Sequence, residues 1–120
     1  MIPQRRPFTV ENPIPMATPE ELYREAEQLK EQGNLEGANA KLAEILEQHP
    51  DYALAHSALA KNLTTLKQHD QAIAHAQKVT ELEPNDFFSF MALSVTYQRA
   101  GKIPEAEDAM AKARTLQMRQ

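Results

Sequence analysis

Four histidines, His49, His56, His69 and His75, are the side chains best suited to acid–base or metal chemistry near neutral pH. A helix-borne metal site needs histidines four residues apart or carboxylates at matching spacing. None of the four forms such a pair, and no carboxylate set accompanies them. His56 and His75 could face each other across two helices as packed or surface side chains. Ser57, Thr64, Thr65, Ser89 and Ser94 offer hydroxyls, but no GxSxG turn or base-plus-acid arrangement surrounds them. With three glycines there is no phosphate-cradling loop, and with no cysteine there is no thiol nucleophile, disulfide or thiolate-held metal. Glu20/Glu21 and Glu44/Glu47 read as a helix cap and a solvated helix face. These residues hold no catalytic constellation and no metal site, so neither an enzyme nor a cofactor is expected.

The elements that carry these residues are helical. The chain has 120 residues, enough for one domain with a core. Apolar residues make up 42% and charged residues 25%, a soluble composition, with Ala and Leu frequent and β-branched runs missing. A net charge of −4 argues against nucleic acid, and no apolar run is long enough to span a membrane. The opening segment MIPQRRPFTVENPIPM has no continuous apolar stretch and does not read as a signal peptide, which with the absent cysteine fits a cytoplasmic protein. Five of eight prolines fall within the first 19 residues. Residues 1–18 are therefore expected to be an irregular or disordered proline-rich arm. The segment TPEE begins the helical part, with Thr18 as cap, Pro19 at the first helical position and Glu21 completing a capping box.

Pro50 and Pro84 stand 34 residues apart, each ending an acidic-apolar helical run. Three units starting at Pro19, Ala53 and Phe87 extend that period. Position 8 is small (Ala26, Ala60, Ser94), and position 20 is alanine each time (Ala38, Ala72, Ala106). Position 11 is Leu29, Leu63 and Tyr97, and position 4 is Leu22, His56 and Phe90. Positions 24 and 27 are mostly apolar. Positions 4, 8 and 11 make one helical stripe, and positions 20, 24 and 27 a second. Gly33 and Gly101 at position 15 stop the first helix in a left-handed residue, and the turn at Lys67 is slightly strained if it takes the same conformation. Asn34, Asp70 and Pro104 mark the starts of the second helices. The spacing predicts helix pairs at 19–32/36–48, 53–66/70–82 and 87–100/104–118, with small residues at positions 8 and 20 allowing close approach.

This pattern resembles the tetratricopeptide repeat family over residues 19–118. The resemblance implies an all-α, right-handed alpha-alpha superhelix of three helix-turn-helix repeats (19–52, 53–86, 87–120). The chain departs from the family pattern in having no Trp at position 4, no Gly at position 8 and Lys67 at the second turn. The resemblance also implies a non-enzymatic interaction module or scaffold with a partner peptide or helix in its concave groove. Positions 2, 5, 9, 12 and 13 of the first helices usually face that groove. The candidates on it are Tyr23, Glu27, Leu54, Ser57, Lys61, Phe88, Met91, Val95 and Arg99. One subgroup of the family grips chaperone C-terminal carboxylates with Lys and Asn at positions 5 and 9 of the first repeat, Asn at position 6 of the second, and Lys and Arg at positions 2 and 6 of the third. Here those places hold Tyr23, Glu27, Ala58, Phe88 and Ala92, so that clamp is absent.

The stretch FFSF cannot turn all its rings inward, because residues 87, 88 and 90 span about 300° of a helix. Phe90 is expected in the core and Phe88 in the groove. Glu25 at position 7, where later repeats have Leu59 and Leu93, suits an outer face with no repeat before it. Arrays of the family usually finish with an extra solvating helix. Without one, Met110, Leu116 and Met118 would form a poorly covered face open to self-association. That face, or a swap of the arm with its Ile2, Phe8, Val10 and Ile14, gives the alternative of a homodimeric or self-assembling subunit.

Overall fold

The computed structural model describes residues 17–120, so expectations about residues 1–16 lie outside it. Six helices follow one another: α1 (Pro19–Glu31), α2 (Leu35–Gln48), α3 (Ala53–Thr65), α4 (His69–Leu82), α5 (Phe87–Arg99) and α6 (Ile103–Met118). No strand occurs among the described residues, and every boundary lies within one residue of its predicted position. Packing is densest within the hairpins α1/α2, α3/α4 and α5/α6. It is thinner where α2 meets α3 and α4 meets α5, as a solenoid of stacked hairpins requires.

Each helix starts and stops for a local reason. Thr18 Oγ1 accepts from the Glu21 amide at 3.1 Å while the Thr18 amide donates to Glu21 Oε1 at 2.8 Å, the reciprocal capping box. Those bonds hold the Glu21 carboxyl below its usual range. Asn34 caps α2 by accepting from the Gly37 amide, and a Cβ at residue 37 would stand only 2.5 Å from the Asn34 side chain. The first helix of every hairpin ends in the same pair of backbone hydrogen bonds. Asn34, Gln68 and Lys102 donate to the carbonyls of Leu29, Leu63 and Tyr97. Gly33, Lys67 and Gly101 donate to Lys30, Thr64 and Gln98. This Schellman geometry needs a left-handed residue, and φ is +85° at Gly33, +63° at Lys67 and +80° at Gly101.

Close approach within each hairpin depends on the small residues. Ala26, Ala60 and Ser94 at position 8 and Ala38, Ala72 and Ala106 at position 20 are all buried. In the third hairpin the Ser94 hydroxyl donates to the Ala106 carbonyl at 2.7 Å, so a wholly buried hydroxyl is satisfied by the facing backbone. Leu42, Ile45, Leu59 and Leu63 join Ala26, Ala38, Ala55 and Ala72 in one core cluster across the first two hairpins. A second cluster, Ala60, Ala76, Leu93 and Ala109, continues it. Glu25 lies at the surface, 3.3 Å from Lys41, while Leu59 and Leu93 at the same position are buried, as the sequence predicts for a leading repeat.

Two expectations need correction. Leu116 is not part of an open face; it is 3% exposed. Ala106, Ala109, Ala113 and Leu116 form one buried stripe at i, i+3, i+7 and i+10, which α6 turns inward. Of the proposed self-association residues only Met118 is widely exposed, at 85%, and Met110 is half-buried. Phe90 is half-buried rather than enclosed; Ser89 is the buried residue of that turn, held by its hydroxyl donating to Asp86.

His56 and His75 do meet inside the second hairpin, with Nδ1 atoms 2.9 Å apart. His56 Nε2 lies 2.7 Å from the Pro50 carbonyl oxygen, so Nε2–H donates there and Nδ1 carries the lone pair. His75 Nδ1–H therefore donates to His56. The pair ties α3, α4 and the turn before α3 together while both rings are neutral. Burial, and then the neighbouring His56, push the His75 pKa below its ordinary value.

Two outcomes follow from these features. Lys67→Gly should raise unfolding free energy by about 0.5–1 kcal/mol, and Gly33→Ala, where no side chain would clash, should cost about 1 kcal/mol; urea denaturation followed by circular dichroism measures both. Because His75 resists a proton in the folded state, its contribution is complete above 6.5, the ordinary value, and fades as pH falls below it. The urea midpoint should drop between about pH 7.5 and pH 5.5 in the native chain and drop less in His75→Gln; an equal decline in both would show that this pair does not govern the response.

Candidate functional site

The short connections 66–68 and 83–86 reverse the chain, so α3 and α5 run in the same direction on one side of the stack, with α4 behind them. Between them lies an open cleft of about 730 Å³. Its walls follow from helical spacing. Leu54, Ser57, Lys61 and Thr65 come from α3, and Phe88, Ala92, Val95 and Arg99 from α5 at i, i+4, i+7 and i+11. Ala60, Ala76 and Val79 line its base. Alanines there keep the base low, so the cleft stays open instead of filling with side chains.

The cleft collects much of the chain's exposed apolar surface. Phe88 is 65% exposed, Leu54 56% and Val95 44%. Phe88 lies against Phe87 with ring centroids 4.3 Å apart, which supports its outward pose. The turn before α5 places Asp86 at the same end. Asp86 caps α5 by accepting from the Phe88 amide at 3.2 Å and the Ser89 hydroxyl at 2.7 Å. Thr64 and Thr65 return their hydroxyl protons to the Ala60 and Lys61 carbonyls, leaving the cationic groups of Lys61 and Arg99 as the free donors at the far end.

Six of the nine groove candidates, Leu54, Ser57, Lys61, Phe88, Val95 and Arg99, line this one cleft. Three do not. Tyr23 and Glu27 belong to α1, a full repeat away. Tyr23 packs half-buried against the first core cluster. Burial, and then the Glu27 charge, push its hydroxyl above the ordinary pKa. Met91 lies off the 88/92/95/99 stripe, on the shoulder of α5 away from α3. The register explains this: a cleft is built by two successive first helices, so position 5 of the third repeat faces onward, whereas Ser57 at position 5 of the second repeat faces α5. Ala76, Val79, Glu83 and Asp86 were not foreseen as lining residues. Positions 24 and 27 of the second helix belong to the buried stripe in the sequence pattern, but at the joint between repeats Ala76 and Val79 also form the cleft base.

Outside the cleft, a shallower hollow borders α2, α3 and α4 and is lined by Leu46, Leu59, Leu66 and His75. No group of three or more histidine, aspartate or glutamate side chains able to hold a metal ion occurs among the described residues. No helix among them is long and apolar enough to cross a membrane.

The fold is shared by solved structures of MamA. One matches with a TM-score of 0.78 at 20% identity over 85% of this chain and 60% of the other. A double mutant of MamA RS-1 matches with a TM-score of 0.73 at 24% identity, over 85% and 57%. MamA MSR-1 C2 matches with 0.74 at 22%, over 85% and 59%. The chain thus spans about six-tenths of their length. No curated protein matches the sequence. A tetratricopeptide repeat model matches residues 29–93, through the joint of the first two hairpins and into α5. With that match, the 34-residue period and the three repeated helix stops, the chain belongs to the tetratricopeptide repeat family.

Proposed function

We propose that the chain works as a non-enzymatic scaffold that holds a segment of a partner polypeptide in the cleft between α3 and α5. Tetratricopeptide repeats serve in general as protein-interaction modules. One observation carries the finer reading: Leu54, Phe88 and Val95, large and apolar, stand exposed around one open cleft with a low alanine base. Their exposure to water is unfavourable until something covers them. Covering Leu54 and Phe88 contributes about 1.5–3 kcal/mol each in transfer free energy, enough for a short segment to bind when its backbone is held as well. The absent chaperone clamp and the cleft's place at the second and third repeats both point away from capture of a chaperone tail.

Self-association through the last helix has weaker support, because Leu116 is buried and Met118 stands nearly alone. Static light scattering across a hundredfold concentration range should give a constant mass near 13.5 kDa; a mass that doubles with concentration and returns to the monomer value in Met118→Glu would favour the self-assembling subunit instead.

The groove reading is tested by selecting peptides from a random displayed library on the native chain and measuring their affinity by fluorescence anisotropy. Leu54→Ala with Phe88→Ala should weaken the selected peptides by about 10- to 100-fold while leaving the helical circular dichroism signal unchanged. Peptides that bind the double variant as tightly as the native chain would place the working surface elsewhere.

A further inference from the structure

The two ends of the cleft differ in chemistry, and this narrows what it can hold. Because α3 and α5 run in the same direction, their first turns meet at one end and their last turns at the other. The first-turn end carries the apolar Leu54 and Phe88, with the acidic Glu83 and Asp86 beside them. The last-turn end carries Lys61 and Arg99. Neither cation forms an ion pair with the described residues, as is the case for most of the lysines and arginines among them; what sets these two apart is that they share one cleft. On a chain with 17 acidic and 13 basic residues, two unpaired cations in one cleft form a local positive end against an acidic background.

We propose, resting on the groove reading above, that the occupant is an extended segment of a partner protein with an apolar anchor and one or two aspartate or glutamate side chains a few residues away. The anchor covers Leu54 and Phe88, and the carboxylates meet Lys61 and Arg99, where Arg99 supplies a two-pronged donor. The spacing follows from the helix rise. Leu54 to Lys61 is roughly 10 Å along α3 and Phe88 to Arg99 roughly 16 Å along α5, at about 1.5 Å per residue. An extended segment at about 3.3 Å per residue covers that distance in about three to five residues.

The probe is a fluorescein-labelled decapeptide with a Leu-Phe anchor and a glutamate pair four residues on, compared with versions carrying glutamine or lysine pairs, each titrated with the full chain. The glutamate peptide should bind on the order of tenfold tighter than the glutamine peptide, with the lysine peptide weaker still, and the preference should shrink as salt rises. Lys61→Gln with Arg99→Gln should erase the preference, and Phe88→Ala should weaken all three peptides. Equal binding of the glutamate and glutamine peptides, both weakened by Phe88→Ala, would overturn the acidic class and leave the groove reading standing. Peptides indifferent to Phe88→Ala would overturn both. A lower melting temperature in Lys61→Gln with Arg99→Gln and no change in peptide preference would assign the two cations to steadying their helix ends, also against the proposal. Stronger binding by a peptide of residues 1–16 than by the glutamate peptide, at the same Phe88-dependent site, would make the chain's own arm the occupant and overturn an external partner.

Discussion

The closest approach of two helices within a hairpin is the constraint on which the structure depends. At positions 8 and 20 neither helix can carry more than a small side chain, and in the third hairpin that space is bridged by a single hydroxyl donating to a facing carbonyl, Ser94 to Ala106. Interiors packed at crystal-like density tolerate little extra volume there. Because the axes are close, the remaining large residues (Leu42, Ile45, Leu59 and Leu63) sit at the joint between the first two hairpins, where they hold one repeat to the next. Stacking is thus a consequence of pairing: a hairpin that buried its leucines internally would have nothing left with which to bind its neighbour.

The joints explain the helix ends. A left-handed residue at the close of each first helix releases the chain into the second helix along a fixed path, with the same two backbone bonds each time. Lys67 adopts this geometry although its side chain disfavours it, so the tertiary arrangement overrides local preference. The alternative, a shifted second hairpin, would displace Ala72 from its contact and part the His56–His75 pair from the Pro50 carbonyl. Strain at one residue is small against the loss of a repeat-to-repeat interface.

Period, helix limits and the buried alanines were legible in the sequence because each rests on short-range rules that repeat three times. The polar outer face at Glu25 was legible by comparison with Leu59 and Leu93. Other features depended on relations between repeats, which a position-by-position reading treats as identical. Met91 and Ser57 share position 5, yet among the described residues Ser57 has a following first helix to face and Met91 does not. Tyr23 occupies a groove position and still packs against the core, because Tyr52 and the first cluster lie beside it. Leu116 was misplaced because the last helix was assigned the 20/24/27 stripe of the other repeats; its inward stripe is 106, 109, 113 and 116, with alanine at three of the four.

The same geometry accounts for an accessible cleft in so small a chain. Two parallel first helices, held apart by a second helix behind them, leave a trough wherever that helix shows small side chains, and α4 shows Ala76 at this point. The trough's base residues Ala60 and Ala76 belong to the core, whereas its walls draw on positions 2, 9 and 13, which lie outside both buried stripes. The side chains of Leu54, Lys61, Phe88 and Arg99 are all exposed to solvent, so they belong to the surface of the trough and not to the packing beneath it. Asp86 is the exception that joins the two: its carboxylate caps α5 and thereby sets the turn from which Phe88 projects. The apolar end of the cleft is thus positioned by a helix cap, while the cationic end hangs on long, adaptable side chains. The two ends of the trough therefore differ in stiffness as well as in chemistry: one is fixed by backbone geometry, the other by flexible side chains.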